Sequence, residues 1–116
     1  MEIKAEKITS DQAKEIIKNS GLQNYGDTKK IQQYKKWMEE GRWGLFYNRT
    51  SPKFINDPLI FLESGRLFEG KHRVRALAKT EGLELDFWVL RNLGKEEMEI
   101  FCQWHSDWKL TKVWKQ

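Results

Sequence analysis

Behind a glycine at position 70 the chain runs Lys71-His72-Arg73-Val74-Arg75, four potential cations in five residues. A glycine where a strand turns into a helix lets backbone approach a ligand closely. The N–H groups of the first helical turn then point outward at the positive end of the helix dipole. Phosphate is the ligand that such a start accommodates best. Arg73 offers a planar fork for two phosphate oxygens, and Lys71 and His72 offer a point charge and a directional donor. A plainer reading weighs the same: Gly70 ends a strand, Lys71 and Arg75 are solvated, and His72 hydrogen-bonds within the fold.

Other side chains could serve such a site. Glu69, immediately before the glycine, could hold Mg²⁺ through water or pair with Arg73 or Lys71; the pairing is favoured, because one carboxylate is a thin basis for a metal. Glu69 and Lys71 are the candidate catalytic residues. The sequence has no acidic cluster of the kind that two-metal phosphodiester cleavage needs. The stretch 41–57 mixes aromatics with turn formers and has no sustained period, and a loop of that length in a small domain is often functional. It brings Arg42, Asn48, Arg49, Thr50, Ser51 and Lys53 as ligand contacts, and Trp43 and Tyr47 as platforms for base stacking. Arg42, Trp43, Arg49 and Arg75 are the candidate ligand or nucleic-acid contacts. Cys102 has His105 one helical turn on, a spacing that can activate a thiolate, but a lone cysteine on the apolar side of a helix usually packs.

These residues sit in a chain of 116 residues, one domain's length. The charged fraction is high at 33%, yet six Trp and six Phe supply the bulk that a small core needs. The single cysteine rules out an intramolecular disulfide and a multi-cysteine zinc cluster, which fits a reducing, cytoplasmic setting. Neither a signal-peptide pattern nor an apolar run of membrane-spanning length is present, so no membrane partner is expected. The net charge of +4 tilts the chain mildly toward anionic partners such as nucleotides or nucleic acid.

The pattern along the chain predicts the elements that must carry the candidate residues. Residues 2–8 alternate well enough for a strand, with a slip before Ile8. Thr9 and Gln12 have capping-box spacing ahead of a helix at about 10–19 that Gly21 ends. Asp27 or Thr28 caps a second helix with Ile31, Tyr34, Trp37 and Met38 on one side and Gly41 as its stop; its Lys29, Lys30, Lys35 and Lys36 read as a solvated face. Leu59–Leu62 is a buried strand, and Leu67–Glu69 returns from a turn as the second arm of a hairpin. A helix over Lys71–Lys79 and a strand over Leu85–Leu90 follow, then a helix at about 95–106 and a basic tail with Lys109, Lys112 and Lys115 as an appendage. The expected class is α+β on a small mixed sheet, in the order β-α-α-β-β-α-β-α.

The segment Gly70-Lys71-His72-Arg73-Val74-Arg75-Ala76-Leu77 resembles the G-x-x-R-x-R-A box of ParB N-terminal domains and the G-x-H-R box of sulfiredoxins. The wider pattern is similar to ParB-like proteins of phages and prophages. It comprises Ile8-Thr9 with Ala13, Met38 to Trp43, Pro58 to Phe61, Gly65 to Arg73 with Ala76, and Trp88 to Asn92. The resemblance implies a ParB/sulfiredoxin-type fold whose helix start holds the phosphates of ATP, ADP or CTP, with Gly70, His72 and Arg73 as phosphate binders. After the glycine, sulfiredoxins place a nucleophilic cysteine and ParB proteins a glutamate; this chain has Lys71. That departure argues against sulfiredoxin chemistry, and an enzyme on this frame would be a nucleotide-dependent NTPase or phosphotransferase. The leading expectation is a nucleotide-binding protein. Its rival is an inactive module whose basic helix and tail contact DNA or a host protein.

Overall fold

Thr9 Oγ1 accepts the N–H of Gln12 at 3.1 Å and Gln12 Oε1 accepts the N–H of Thr9 at 2.8 Å, a complete capping box at the point where the first strand becomes the first helix. The structure, a computed structural model, describes residues 3–45 and 57–100. Strand β1 (Ile3–Thr9) runs directly into α1 (Ser10–Ser20), which Gly21 ends in the left-handed region. In α2 (Thr28–Glu39) the cap is Asp27, whose Oδ1 accepts the N–H groups of Lys29 and Lys30. Strands β2 (Leu59–Leu62) and β3 (Leu67–Glu69) form the expected antiparallel hairpin. Then come α3 (Lys71–Ala78) and β4 (Glu84–Leu93). Residues 95–100 are again helical.

The architecture is α+β, on a four-stranded mixed sheet ordered β1-β4-β2-β3. β4 pairs antiparallel with β1 and parallel with β2. Continuous pairing of Ile3–Thr9 with Glu84–Leu90 shows why the slip before Ile8 does not end β1: the ladder fixes the backbone while the solvent side tolerates either polarity. The same ladder adds Glu84 to the expected β4, and the parallel pairing with β2, where Leu62 faces Leu93, carries it past Leu90. An Arg91–Glu6 fork, with both N···O distances 2.8 Å, pins β1 to β4 while the Arg91 guanidinium lies 4.4 Å from the Phe61 ring centroid.

The core gathers Ile8, Ala13, Ile17, Ile31, Met38, Leu59, Phe61, Val74, Leu77, Phe87 and Val89. Both α1 and α2 pack on α3, which buries Val74, Ala76 and Leu77 completely. The central helix therefore has little choice of rotation, and what its first residues reach is set by packing. Ser20 ties α1 to the hairpin: its Oγ accepts the Leu67 N–H at 2.9 Å and its carbonyl accepts from Arg66 at 3.0 Å. Among the described residues no helix is long and apolar enough to cross a membrane.

Candidate functional site

β3 ends at Glu69, Gly70 turns the chain with φ +94° and ψ +21°, and α3 opens on Lys71 with no side-chain cap. A Cβ at position 70 would fall inside the space of Leu59 Cδ2 and come within 3.1 Å of Arg73 Nη2. Backbone torsion and packing therefore both require glycine. Three polar side chains of α3 then part company. Arg73 is 8% exposed and turns inward, donating to the carbonyls of Asp57 and Pro58 at the entrance of β2. Burial pulls its pKa down, opposed by the Asp57 and Glu69 carboxylates.

His72 and Arg75 turn the other way, onto the connection between α1 and α2. His72 Nε2 accepts the Asp27 N–H at 3.1 Å, which fixes the neutral tautomer protonated on Nδ1. The imidazole lies 5.3 Å from the Tyr25 ring, and Arg75 Nη1 donates to the Tyr25 carbonyl at 2.6 Å. Lys71 Nζ stands 5.0 Å from the Tyr25 ring centroid. Gly26, at φ +98°, makes this approach possible: a Cβ there would meet His72 Nε2 at 2.7 Å. Burial, with Lys30 second, holds the His72 imidazole below its ordinary pKa.

Gly70, Lys71, His72 and Arg73 are thus one helix start, but their side chains have separate tasks. The His72 ring and the Arg73 fork bind protein backbone, one on each flank, and so fix where the first-turn N–H groups point. Lys71 reaches the Tyr25 ring. Among the described residues neither Lys71, Lys29 nor Lys30 forms an ion pair with a carboxylate. Glu69 acts electrostatically on Arg73 and His72. The described residues hold no group of three or more His, Cys, Asp or Glu able to hold a metal ion.

The other candidates are scattered. Trp43 is 9% exposed and packs edge-on against Tyr34 and Phe87, which makes it a core residue and removes it as a stacking platform. Its buried indole N–H has no hydrogen-bond partner. Arg42 lies 5.6 Å from the Trp37 ring centroid and 3.7 Å from Glu40. Tyr47, Asn48, Arg49, Thr50, Ser51, Lys53, Cys102, His105 and the tail lysines Lys109, Lys112 and Lys115 lie outside the described residues. Two concavities, of about 290 and 240 Å³, sit elsewhere: one lined by Leu62, Glu63, Leu93 and Met98, the other by Thr9, Asp11, Gly82 and Glu84.

Tyr25 is the residue the sequence reading missed. A single tyrosine in a polar connection carries no periodic signal; the alternation Tyr25-Gly26-Asp27, a ring, a flexible point and a helix cap, was its only trace. Comparison with known proteins places the chain in no family: no family model, no curated protein and no solved structure matches it.

Proposed function

We propose that this chain is a small nucleotide-binding protein of the ParB-like type, phage or prophage encoded and cytoplasmic. In this reading the α3 start holds the phosphates of ATP, ADP or CTP, with or without Mg²⁺. The observation that carries the reading is the uncapped, glycine-led start of α3 with Lys71 beside it. The G-K-H-R pattern supports it, as does the resemblance to a ParB/sulfiredoxin-type frame.

The assignment of tasks follows the geometry. Phosphate oxygens take first-turn N–H groups such as those of Lys71 and His72, while the Lys71 ammonium adds charge. The His72 and Arg73 side chains act as positioning residues. With a cation where relatives carry a thiol or a carboxylate, the site is equipped to bind more than to react.

Titration calorimetry with ATP, ADP, CTP and GTP, each with and without Mg²⁺, tests this. Binding of at least one nucleotide, weakened about tenfold or more by Lys71→Glu, is expected, since a charge-assisted contact is replaced by like-charge repulsion. Absence of binding across the panel, or binding indifferent to Lys71→Glu, rejects the site.

A further inference from the structure

From the connection before α2 to its end, three rings are each accompanied by a cation. Lys71 Nζ is 5.0 Å from the Tyr25 centroid, Lys30 Nζ is 5.7 Å from that of Tyr34, and the Arg42 guanidinium is 5.6 Å from that of Trp37. Tyr34 and Trp37 are themselves 5.7 Å apart. His72 links the two helices: its ring lies 5.3 Å from that of Tyr25, and its Nε2 accepts the N–H of Asp27, the residue that caps Lys29 and Lys30. Tyr25, the start of α2 and the start of α3 therefore meet on one face.

Negative charge on this face is unevenly placed. The Asp27 carboxylate is engaged in capping the Lys29 and Lys30 N–H groups. Glu39 pairs with Lys35 at 3.1 Å and Glu40 with Arg42 at 3.7 Å, both at the far end of α2. Where α2 and α3 begin, Lys29, Lys30 and Lys71 form no ion pair among the described residues and outnumber the two carboxylates that act on His72 there, Asp27 and Glu69. Tyr25 is 39% exposed beside them.

We propose that this face binds single-stranded nucleic acid, with phosphates along Lys29, Lys30 and Lys71 and a base stacked on Tyr25. A polyanion matches the three lysines, and the exposed Tyr25 ring offers a stacking surface to which an unpaired strand brings bases together with several phosphates. A duplex keeps its bases stacked inside and offers this face phosphates alone. The inference rests on the α2 face and shares only Lys71 with the nucleotide site.

Fluorescence anisotropy with labelled oligo(dT) and oligo(U) of about twelve nucleotides, and with a duplex of equal length, tests it. Single strands are expected to bind more tightly than the duplex. With three phosphates neutralised, log affinity should fall with log salt at a slope of about −2. Tyr25→Ala is expected to weaken binding about tenfold while preserving the fold, because the Arg75 contact is to the Tyr25 backbone. The Lys29→Glu/Lys30→Glu double variant should reduce binding to the limit of detection. Carboxylates in the first turn of α2 suit its dipole, so this variant stays folded.

Equal or tighter binding of the duplex overturns the proposal, as does single-strand affinity that the double variant leaves unchanged. Binding to phosphatidylserine vesicles without binding to either oligonucleotide overturns it in favour of a lipid surface. Mononucleotide binding through Lys71 with no oligonucleotide binding rejects this face and leaves the phosphate site standing; the reverse result rejects the phosphate site alone.

Discussion

Among the helices that begin behind a strand, α1 and α3 begin in opposite ways. α1 is closed by the reciprocal Thr9–Gln12 box and carries Asp11 in its first turn, where the dipole favours an acid. α3 starts on a left-handed glycine, has no side-chain cap and carries no acid in its first turn, which instead holds Lys71, His72 and Arg73. Lys71 and Arg73 each oppose the dipole by a few tenths of a kcal/mol, and a missing cap costs on the order of 1 kcal/mol. The same chain therefore encodes a self-sufficient helix start and, about sixty residues later, one without a side-chain cap. A pattern that costs stability locally, at the helix on which both α1 and α2 pack, is where binding is to be sought.

The sharpest way to break this contrast is substitution at the two caps. Gly70→Ala adds a left-handed strain of about 1–2 kcal/mol and a methyl group in the space of Leu59, so a loss of about 3 kcal/mol or more is expected. Thr9→Ala removes one cap bond and should cost about 1 kcal/mol. Urea unfolding of both variants measures the difference. Equal losses would mean that the α3 start is an ordinary cap with no special packing.

Arg73 comes next in size. Its guanidinium is buried and donates to the Asp57 and Pro58 carbonyls, so Arg73→Met strands two acceptors while roughly keeping the side-chain volume. A loss of about 2 kcal/mol is expected, since hydrogen bonds to charged groups contribute about 1.5–3 kcal/mol. If Arg73 instead faced a ligand from solvent, Met would leave the urea midpoint unchanged and abolish only binding.

His72 gives a pH signature. Burial and Lys30, with a smaller effect from Arg75, depress its folded pKa from the ordinary 6.5, while Asp27 and Glu69 oppose them. The unfolded chain therefore takes up the proton first. Stability from the His72–Asp27 joint is complete above pH 6.5 and declines as pH falls toward the folded value. Glu6, held below 4.5 mainly by its hydrogen bond from Arg91, acts only at lower pH. Urea midpoints taken between about pH 7.5 and 5.5 should fall in the wild type and stay level in His72→Gln, whose amide oxygen can accept the same N–H without titrating. A wild-type profile as level as the variant's would show that the joint does not depend on a neutral imidazole.

How much of this was legible in the sequence follows the range of the interactions. The capping box, the Asp27 cap, the hairpin and the extent of α3 are local patterns, and each was read from neighbours within a turn or two. The direction of each cation in Lys71-His72-Arg73 was not, because it depends on residues about fifteen to fifty positions away: Tyr25, Asp27, Asp57 and Pro58. Spacing could not show that the middle of the sequence motif would be held by protein backbone on both flanks. Trp43 was misjudged for the same reason, since its burial rests in part on Phe87, far along the chain on β4.

The smallest stability effect is the most discriminating. Lys71→Glu places at the start of α3 the kind of charge that Asp11 supplies to α1, a gain of about 0.3–1 kcal/mol at low ionic strength. It also removes the cation over the Tyr25 ring, a loss of about 0.5–1 kcal/mol. The two terms oppose each other at similar size, so the urea midpoint should move little, by about 0.5 kcal/mol or less in either direction. Raising the salt concentration screens the dipole term more than the ring contact, so whatever gain appears should shrink with salt. Nucleotide affinity, by contrast, should collapse in the same variant. Stability nearly unchanged with binding lost would mean that Lys71 is there for a ligand. A loss of 2 kcal/mol or more would assign it to the fold and remove the contrast with α1.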